Sequence, residues 1–197
     1  MNTALRNELL SAFALDKYFK EMTPFGNGHI NETYAVTLEP PSGTKRYILQ
    51  KMNHSVFKKP WELMENITGV TSWLRKKIKE NGGDPDRETL NVLPAKNGRN
   101  YYQDSEGEYW RVFSLIDHIV CYDQVSCSHD FYRSGQAFGH FQNMLSDYPA
   151  HTLHETIENF HNTPVRYRNF LASVEADAMG RAASVLPEIG FVKAHSE

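Results

Sequence analysis

Residues 23–36 read Thr-Pro-Phe-Gly-Asn-Gly-His-Ile-Asn-Glu-Thr-Tyr-Ala-Val, with two glycines between two segments that are typical of β-strands. Gly26 and Gly28 lack a Cβ atom, so the backbone between them can come close to an anion and point successive N–H groups at it. After the glycines, residues 31–38 alternate, with Thr33 and Ala35 on one side and Tyr34 on the other, which indicates that a strand follows. The segment is therefore predicted to be a glycine-rich β-hairpin.

This hairpin has two interpretations. Dinucleotide-binding and Walker loops run from a strand into a helix, whereas the kinase type of glycine-rich loop joins two strands and covers the nucleotide. The strand that follows favours the kinase type. A Gly-x-Gly in a turn is, however, more often a plain hairpin turn than a phosphate site, so the interpretation depends on the rest of the chain.

The composition is that of an ordinary globular protein. The chain has 197 residues, 40% hydrophobic and 23% charged, which suffices for one full domain or two small ones. A net charge of −3 offers no basic surface for nucleic acid or anionic membrane and favours small-molecule partners. Cys121 and Cys127 lack zinc-site spacing and are interpreted as reduced thiols, and neither a signal sequence nor a membrane span is apparent. We expect a soluble, cytoplasmic protein.

The remaining patterns predict an α+β unit of five antiparallel strands with one inserted helix, followed by helices. Within the strand 45–52, a period of two places Leu49 and Lys51 on one face and Gln50 on the other. The predicted elements are an opening helix that ends near Asp16, strands at 17–25, 31–38 and 45–52, a helix at 60–80, strand segments between 89 and 116, and helices at 129–148, at 166–177 and from 180 onward.

The order of these elements is that of the nucleotide-binding lobe of a kinase. Backbone N–H groups bind phosphate, a strand lysine such as Lys51 pairs with phosphate oxygens, a helix carboxylate orients the lysine, and the link to the helical part meets adenine. Glu65 is the candidate carboxylate, with Glu62 one turn away. Taken singly, each such residue is more often solvated or structural. Their order supports a lobe at 1–117, a link at 118–128 and a helical part at 129–197.

Several motifs in matching order carry a resemblance to a known family. The motifs are Phe25-Gly-Asn-Gly-His-Ile-Asn31, Tyr47-Ile-Leu-Gln50 with Met52-Asn53, Trp110-Arg-Val-Phe113, Ala137-Phe-Gly-His-Phe-Gln-Asn143 and Glu155-Thr156 through Phe160-His-Asn-Thr-Pro164. In these motifs the chain resembles the N-acetylhexosamine 1-kinases, which belong to the aminoglycoside phosphotransferase, or choline-kinase-like, superfamily. The similarity covers essentially the whole chain.

The resemblance implies a protein-kinase-like fold, ATP with Mg²⁺, and phosphoryl transfer to a small hydroxylated substrate, in the nearest relatives the anomeric hydroxyl of an N-acetylhexosamine. It places Lys51 near the lysine strand of the family, where relatives also have glutamine or arginine. The nucleotide-binding residues carried over are Gly26, Asn27, Gly28, His29, Asn31, Lys51, Glu65, Ile116, Asp117 and His118, the last two through their backbone.

His161 and Arg166 have two interpretations. The segment Phe160-His-Asn-Thr-Pro-Val-Arg166 resembles a helix start, with Asn162 or Thr163 as N-cap and Pro164 in the first turn. The functional interpretation places His161 and Arg166 near the acceptor sugar as substrate-binding residues. Base rates for such motifs favour the cap.

The 197 residues contain no His-x-Asp segment, which in this superfamily carries the catalytic aspartate and precedes the metal-binding aspartate. We therefore assign no catalytic and no metal-binding residue, expect the ligands of Mg²⁺ elsewhere, and expect this chain alone to be inactive. It resembles an N-terminal portion, whether of a shortened protein, a truncated gene product or a split enzyme.

Two other functions stay open. One is a non-catalytic module that binds nucleotide or a partner chain, and the other is a kinase for an aminoglycoside, a choline-like or a homoserine-like acceptor. In a complete kinase, further helices would cover the apolar stripe of the helix at 129–148, made of Phe131, Phe138, Phe141 and Leu145. Left uncovered, this stripe predicts either self-association through the helical part or poor folding beyond residue 117, with the sheet of the first lobe intact.

Overall fold

A computed structural model describes residues 1–120, 124–125 and 127–196. Its contacts divide the chain into two compact units, Met1–Thr156 and Ile157–Glu197, and each is described by itself. The predicted link at 118–128 and Cys121 lie partly or wholly outside the described residues. Cys127 is a free, exposed thiol. No helix in the described part of the chain combines the length and the apolar character needed to cross a lipid bilayer.

The first unit is α+β, as predicted, and the second is helical. The first contains α1 (Thr3–Ala12), β1 (Phe19–Pro24), β2 (Glu32–Leu38), β3 (Lys45–Met52), α2 (Pro60–Glu80), α3 (Pro85–Glu88), β4 (Val92–Leu93), β5 (Tyr102–Gln103), β6 (Tyr109–Ser114), α4 (Ser128–Met144) and a 3₁₀ turn at Ala150–Thr152. The second contains α5 (Thr163–Ala176), a 3₁₀ turn at Ala182–Val185 and α6 (Leu186–Ala194).

The sheet is antiparallel and has the strand order β1-β2-β3-β6-β4, with β5 also paired to β6. Strand β6 pairs with β3 along one edge. Along its other edge it pairs with both β4 and β5, where Val92 lies opposite Phe113 and Tyr102 opposite Trp110. The sheet thus has six strands but is five strands wide. Pro94, which lacks an N–H group, follows β4 directly and separates the two short strands.

One face of the sheet packs against α1. Tyr34, Leu49 and Trp110 belong to this face, because alternate residues of a strand point to the same side. The buried core of this face contains Leu9, Leu10, Phe13, Leu15, Val36, Leu38, Leu49, Ala95, Trp110 and Val112. Burial of these apolar side chains is the main term that holds α1 on the sheet.

The opposite face of the sheet carries Gln50 and Arg111 and lies against α2, whose Met64 is 3.9 Å from Arg111. An ion pair and two hydrogen bonds connect the segment after α4 to α2. Lys77 pairs with Asp147 at 2.5 Å, and Asn66 both donates to and accepts from the backbone of His154, at 2.8 and 2.9 Å. The helix predicted at 60–80 is confirmed with its bounds.

Several details differ from the sequence predictions, which expected five strands where the sheet has six. The short helix α3 was not predicted, although Asp84 caps it by accepting from the Asp86 N–H and Pro85 occupies its first turn. The helix predicted at 129–148 ends at Met144 and contains no buried residue; Phe131 and Phe138 are 67% and 66% exposed. Within the described residues, no other element covers these two aromatic side chains.

Candidate functional site

The glycine-rich segment forms the predicted hairpin between β1 and β2, closed by a hydrogen bond from Phe25 N–H to the Thr33 carbonyl at 2.9 Å. Gly26 has a φ of +77°, a left-handed conformation that favours glycine. A Cβ atom on Gly28 would meet no atom within 4 Å. Asn27 and His29 are exposed at the tip. The backbone of the hairpin is therefore open to a ligand.

Asn31 fastens the hairpin to the neighbouring strand. Its Oδ1 accepts a hydrogen bond from the Asn53 N–H, just after β3, at 2.9 Å. The side chain that the sequence analysis assigned to nucleotide binding therefore fixes the position of the glycine segment relative to β3. Its contribution to a ligand site is the placement of the hairpin.

A cavity of about 390 Å³ lies next to this hairpin, within the size range of small-molecule sites. It brings together three parts of the chain that the sequence analysis predicted to meet, namely the hairpin, β3 and the residues after β6. The lining is mainly apolar and consists of Phe25, Arg46, Ile48, Leu90, Phe113, Ser114, Leu115, Ile116, Asp117, His118 and Ile119. An apolar slot of this kind suits a flat aromatic ring.

Ile116, Asp117 and His118, which follow β6, line this cavity. Within the described part of the chain, the N–H groups of residues 116–118 donate no hydrogen bond. Asp117 is held from two sides, because its carboxylate pairs with Arg46 and its carbonyl accepts from Arg87 at 3.1 Å. His118 has a φ of +57°, a conformation that costs a non-glycine residue free energy and that its surroundings must maintain. These contacts fix the backbone at the cavity wall.

Lys51 lies on the other face of the sheet, opposite Trp110 in the strand register and on the side that packs against α1. Its Nζ is 3.4 Å from Glu108 and 3.9 Å from Glu32. These groups line a separate polar pocket of about 240 Å³. The structure therefore does not bring Lys51 to the apolar cavity.

The candidate carboxylates of α2 are also engaged elsewhere. Glu65 is 2.7 Å from His154 Nε2, and Glu62 is 2.8 Å from Lys59. The predicted ion pair of Lys51 and Glu65 is not formed, because each residue is paired with another group on a different side of the sheet.

Gln50 and Arg111 lie on the same face of β3 and β6 as the cavity residues Ile48 and Phe113, and the sequence did not predict this pair. Arg111 donates to Gln50 Oε1 from Nε at 3.0 Å and from Nη2 at 2.7 Å, while Gln50 Nε2 donates to Thr33 at 2.8 Å. Burial lowers the pKa of Arg111 to about 10, which still leaves the guanidinium charged at neutral pH. The sequence feature that could have identified this pair is an arginine within an otherwise apolar strand segment, Trp110-Arg-Val-Phe113.

His161 and Arg166 belong to the second unit. Asn162 caps α5 by accepting from the Val165 N–H at 3.2 Å, as the capping interpretation predicts. Arg166 donates to the Phe160 carbonyl at 3.0 Å, and the rings of Phe160 and His161 are 4.8 Å apart. His161 and Arg166 thus make local contacts at the start of α5. A role of either residue in substrate binding stays a prediction.

Among the residues that the structure describes, no group of three or more His, Cys, Asp or Glu side chains is arranged to hold a metal ion. A comparison with models of known protein families found none that matches this chain.

Proposed function

We propose that the first unit binds a purine nucleotide, with the adenine ring in the 390 Å³ cavity and the phosphates toward the glycine hairpin. The observation that carries the proposal is that the hairpin, β3 and the segment after β6 meet around one apolar cavity. Within the described part of the chain, the N–H groups of residues 116–118 donate no hydrogen bond. Adenine has a flat apolar body and edge acceptors, which match apolar walls and free N–H groups. Phosphate oxygens match the open backbone of the hairpin.

The wider proposal is that the protein is the nucleotide-binding part of an ATP- and Mg²⁺-dependent phosphotransferase with a protein-kinase-like fold. The sequence resemblance supports an N-acetylhexosamine as the acceptor, and other hydroxylated acceptors keep their place as alternatives. In such an enzyme, Mg²⁺ would neutralise the negative charge of the phosphates. The residues described here would hold the adenine and orient the phosphate chain.

Calorimetric titration with ATP, adenosine and uridine tests this proposal. We expect binding of ATP and adenosine and much weaker binding of uridine, because a pyrimidine fills less of the apolar slot and offers different edge groups. A matched variant, Ile48→Asp, places a charge in the cavity wall and should remove adenosine binding. Equal affinity for uridine and adenosine, or no loss in this variant, would contradict the assignment of the cavity.

A second experiment tests whether these 197 residues, which contain no His-x-Asp segment, transfer phosphate by themselves. We expect the isolated chain to bind ATP but not to phosphorylate N-acetylglucosamine or N-acetylgalactosamine, because positioning the phosphates does not replace a catalytic base. The measurement is transfer of labelled phosphate to the sugar. Transfer by rigorously purified protein would overturn this expectation.

A further inference from the structure

Arg111 is a partly buried cation that has no acidic partner among the residues that the structure describes. Its polar contacts within the described chain are Gln50 Oε1, which accepts two of its N–H groups, and Met64 Sδ at 3.9 Å from Nη1. The Phe113 ring lies 5.1 Å from the guanidinium carbon. No carboxylate of the described residues forms an ion pair with it.

The partial burial of the Arg111 guanidinium without an ion-pair partner among the described residues is unfavourable in free energy. Removing a guanidinium from water costs free energy that an opposite charge normally offsets. The nearby helix α2 supplies none, since Glu62 pairs with Lys59 and Glu65 with His154. The contacts of Arg111 with Gln50 orient its planar donor fork but do not neutralise its charge.

The position of Arg111 relative to the cavity indicates the kind of anion that it could bind. Ile48 and Phe113 line the cavity, and Gln50 and Arg111 are the next residues on the same face of β3 and β6. Two residues of a strand span about 7 Å, so the guanidinium lies just beyond the cavity wall. Gln50 is followed by Lys51, which pairs with Glu32, the first residue of β2 after the glycine hairpin. Gln50 and Arg111 therefore lie closer than Ile48 and Phe113 to the end of the sheet where β2 begins.

We propose that Arg111, oriented by Gln50, binds the phosphate oxygens of the nucleotide, on the face of the sheet opposite to Lys51. This inference rests on the proposed nucleotide site. Arg111 keeps N–H groups that Gln50 does not use, and the planar fork of a guanidinium suits phosphate oxygens. Gln50 is a positioning residue, because it is held in turn by its hydrogen bond to Thr33.

The test compares the dissociation constants of ATP and adenosine, measured by calorimetry on the intact chain. In the unaltered protein we expect ATP to bind at least about tenfold more tightly than adenosine, the usual gain from one charge-assisted contact or more. Arg111→Met keeps the apolar stem and removes the charge. It should reduce the preference for ATP to near parity while adenosine affinity stays the same.

Three further variants make the result specific. Arg99→Met removes an exposed arginine elsewhere and should keep the ATP preference, whereas Gln50→Met should reduce it partly. Lys51→Met decides between the two cations: loss of the ATP preference there, with retention in Arg111→Met, overturns the inference. If Arg111→Met does not fold by circular dichroism, Arg111→Lys replaces it. That variant should retain only part of the preference, and full retention would overturn the role of the guanidinium fork.

Failure of this inference is distinguishable from failure of the proposed function. If the unaltered protein binds neither ATP nor adenosine, the nucleotide site is wrong and this inference falls with it. If it binds both, but Arg111→Met leaves their ratio unchanged, the site stands and the role of Arg111 is wrong.

Discussion

Trp110→Ala should lower the free energy of unfolding of the first unit by about 3–5 kcal/mol, the usual loss when a buried tryptophan is truncated to alanine. Trp110 is 1% exposed and belongs to the core between the sheet and α1. Its indole N–H donates to Asp104 at 2.7 Å, and Asp104 is itself only 6% exposed. The substitution therefore leaves a cavity and a buried carboxylate oxygen without its donor.

Urea unfolding followed by far-ultraviolet circular dichroism measures this loss. Trp61→Ala is the matched control, because Trp61 has the same chemistry but is 39% exposed on α2. The control should lose only about 1 kcal/mol or less, as is usual for exposed positions. Similar losses in the two variants would show that the interface between α1 and the sheet is not the core of this unit.

Gly28→Val should weaken ATP binding by at least about tenfold, or about 1.4 kcal/mol, and leave the stability of the protein unchanged. In the protein without ligand, a Cβ atom at this position meets nothing within 4 Å. The added side chain can therefore act only on what approaches the hairpin from outside. If phosphates lie against this backbone, the valine occupies their place, whereas adenosine binding should change little.

Gly26→Val is the contrasting variant. Gly26 has a φ of +77°, which costs an L-residue roughly 1–2 kcal/mol, so this variant should lose stability as well as ATP affinity. Calorimetry and urea unfolding on both variants separate the two effects. An unchanged ATP affinity in Gly28→Val would remove the hairpin from the nucleotide site.

Local patterns predicted most of the secondary structure. The hairpin, the strands 31–38 and 45–52 and the helix 60–80 agree with β2, β3 and α2 because alternation and helical spacing act over a few residues. Strand ends were less accurate. The first of the strand segments predicted between 89 and 116 pairs only at Val92–Leu93, because pairing depends on the position of β6 and not only on the strand propensity of the segment.

The candidate site was predictable in part for the same reason. The hairpin and the segment at 116–118 were recognised as neighbours through their order in a known type of lobe, and both line or adjoin the observed cavity. Gln50 and Arg111 were missed, since their hydrogen bonds join strands 61 positions apart. No local pattern reports a contact at such a separation.

Periodicity alone determined that Leu49 and Lys51 share one face of β3 and that Gln50 lies on the other, because successive side chains of any strand alternate. Only the tertiary structure decided which face meets α1 and which meets α2 and the cavity. The face with Leu49 and Trp110 meets α1 because the apolar side chains of α1 pack there and bury both residues, which is favourable in free energy. The physical reason is that strand geometry is local, whereas the identity of the buried face is set by apolar surface supplied from distant parts of the chain.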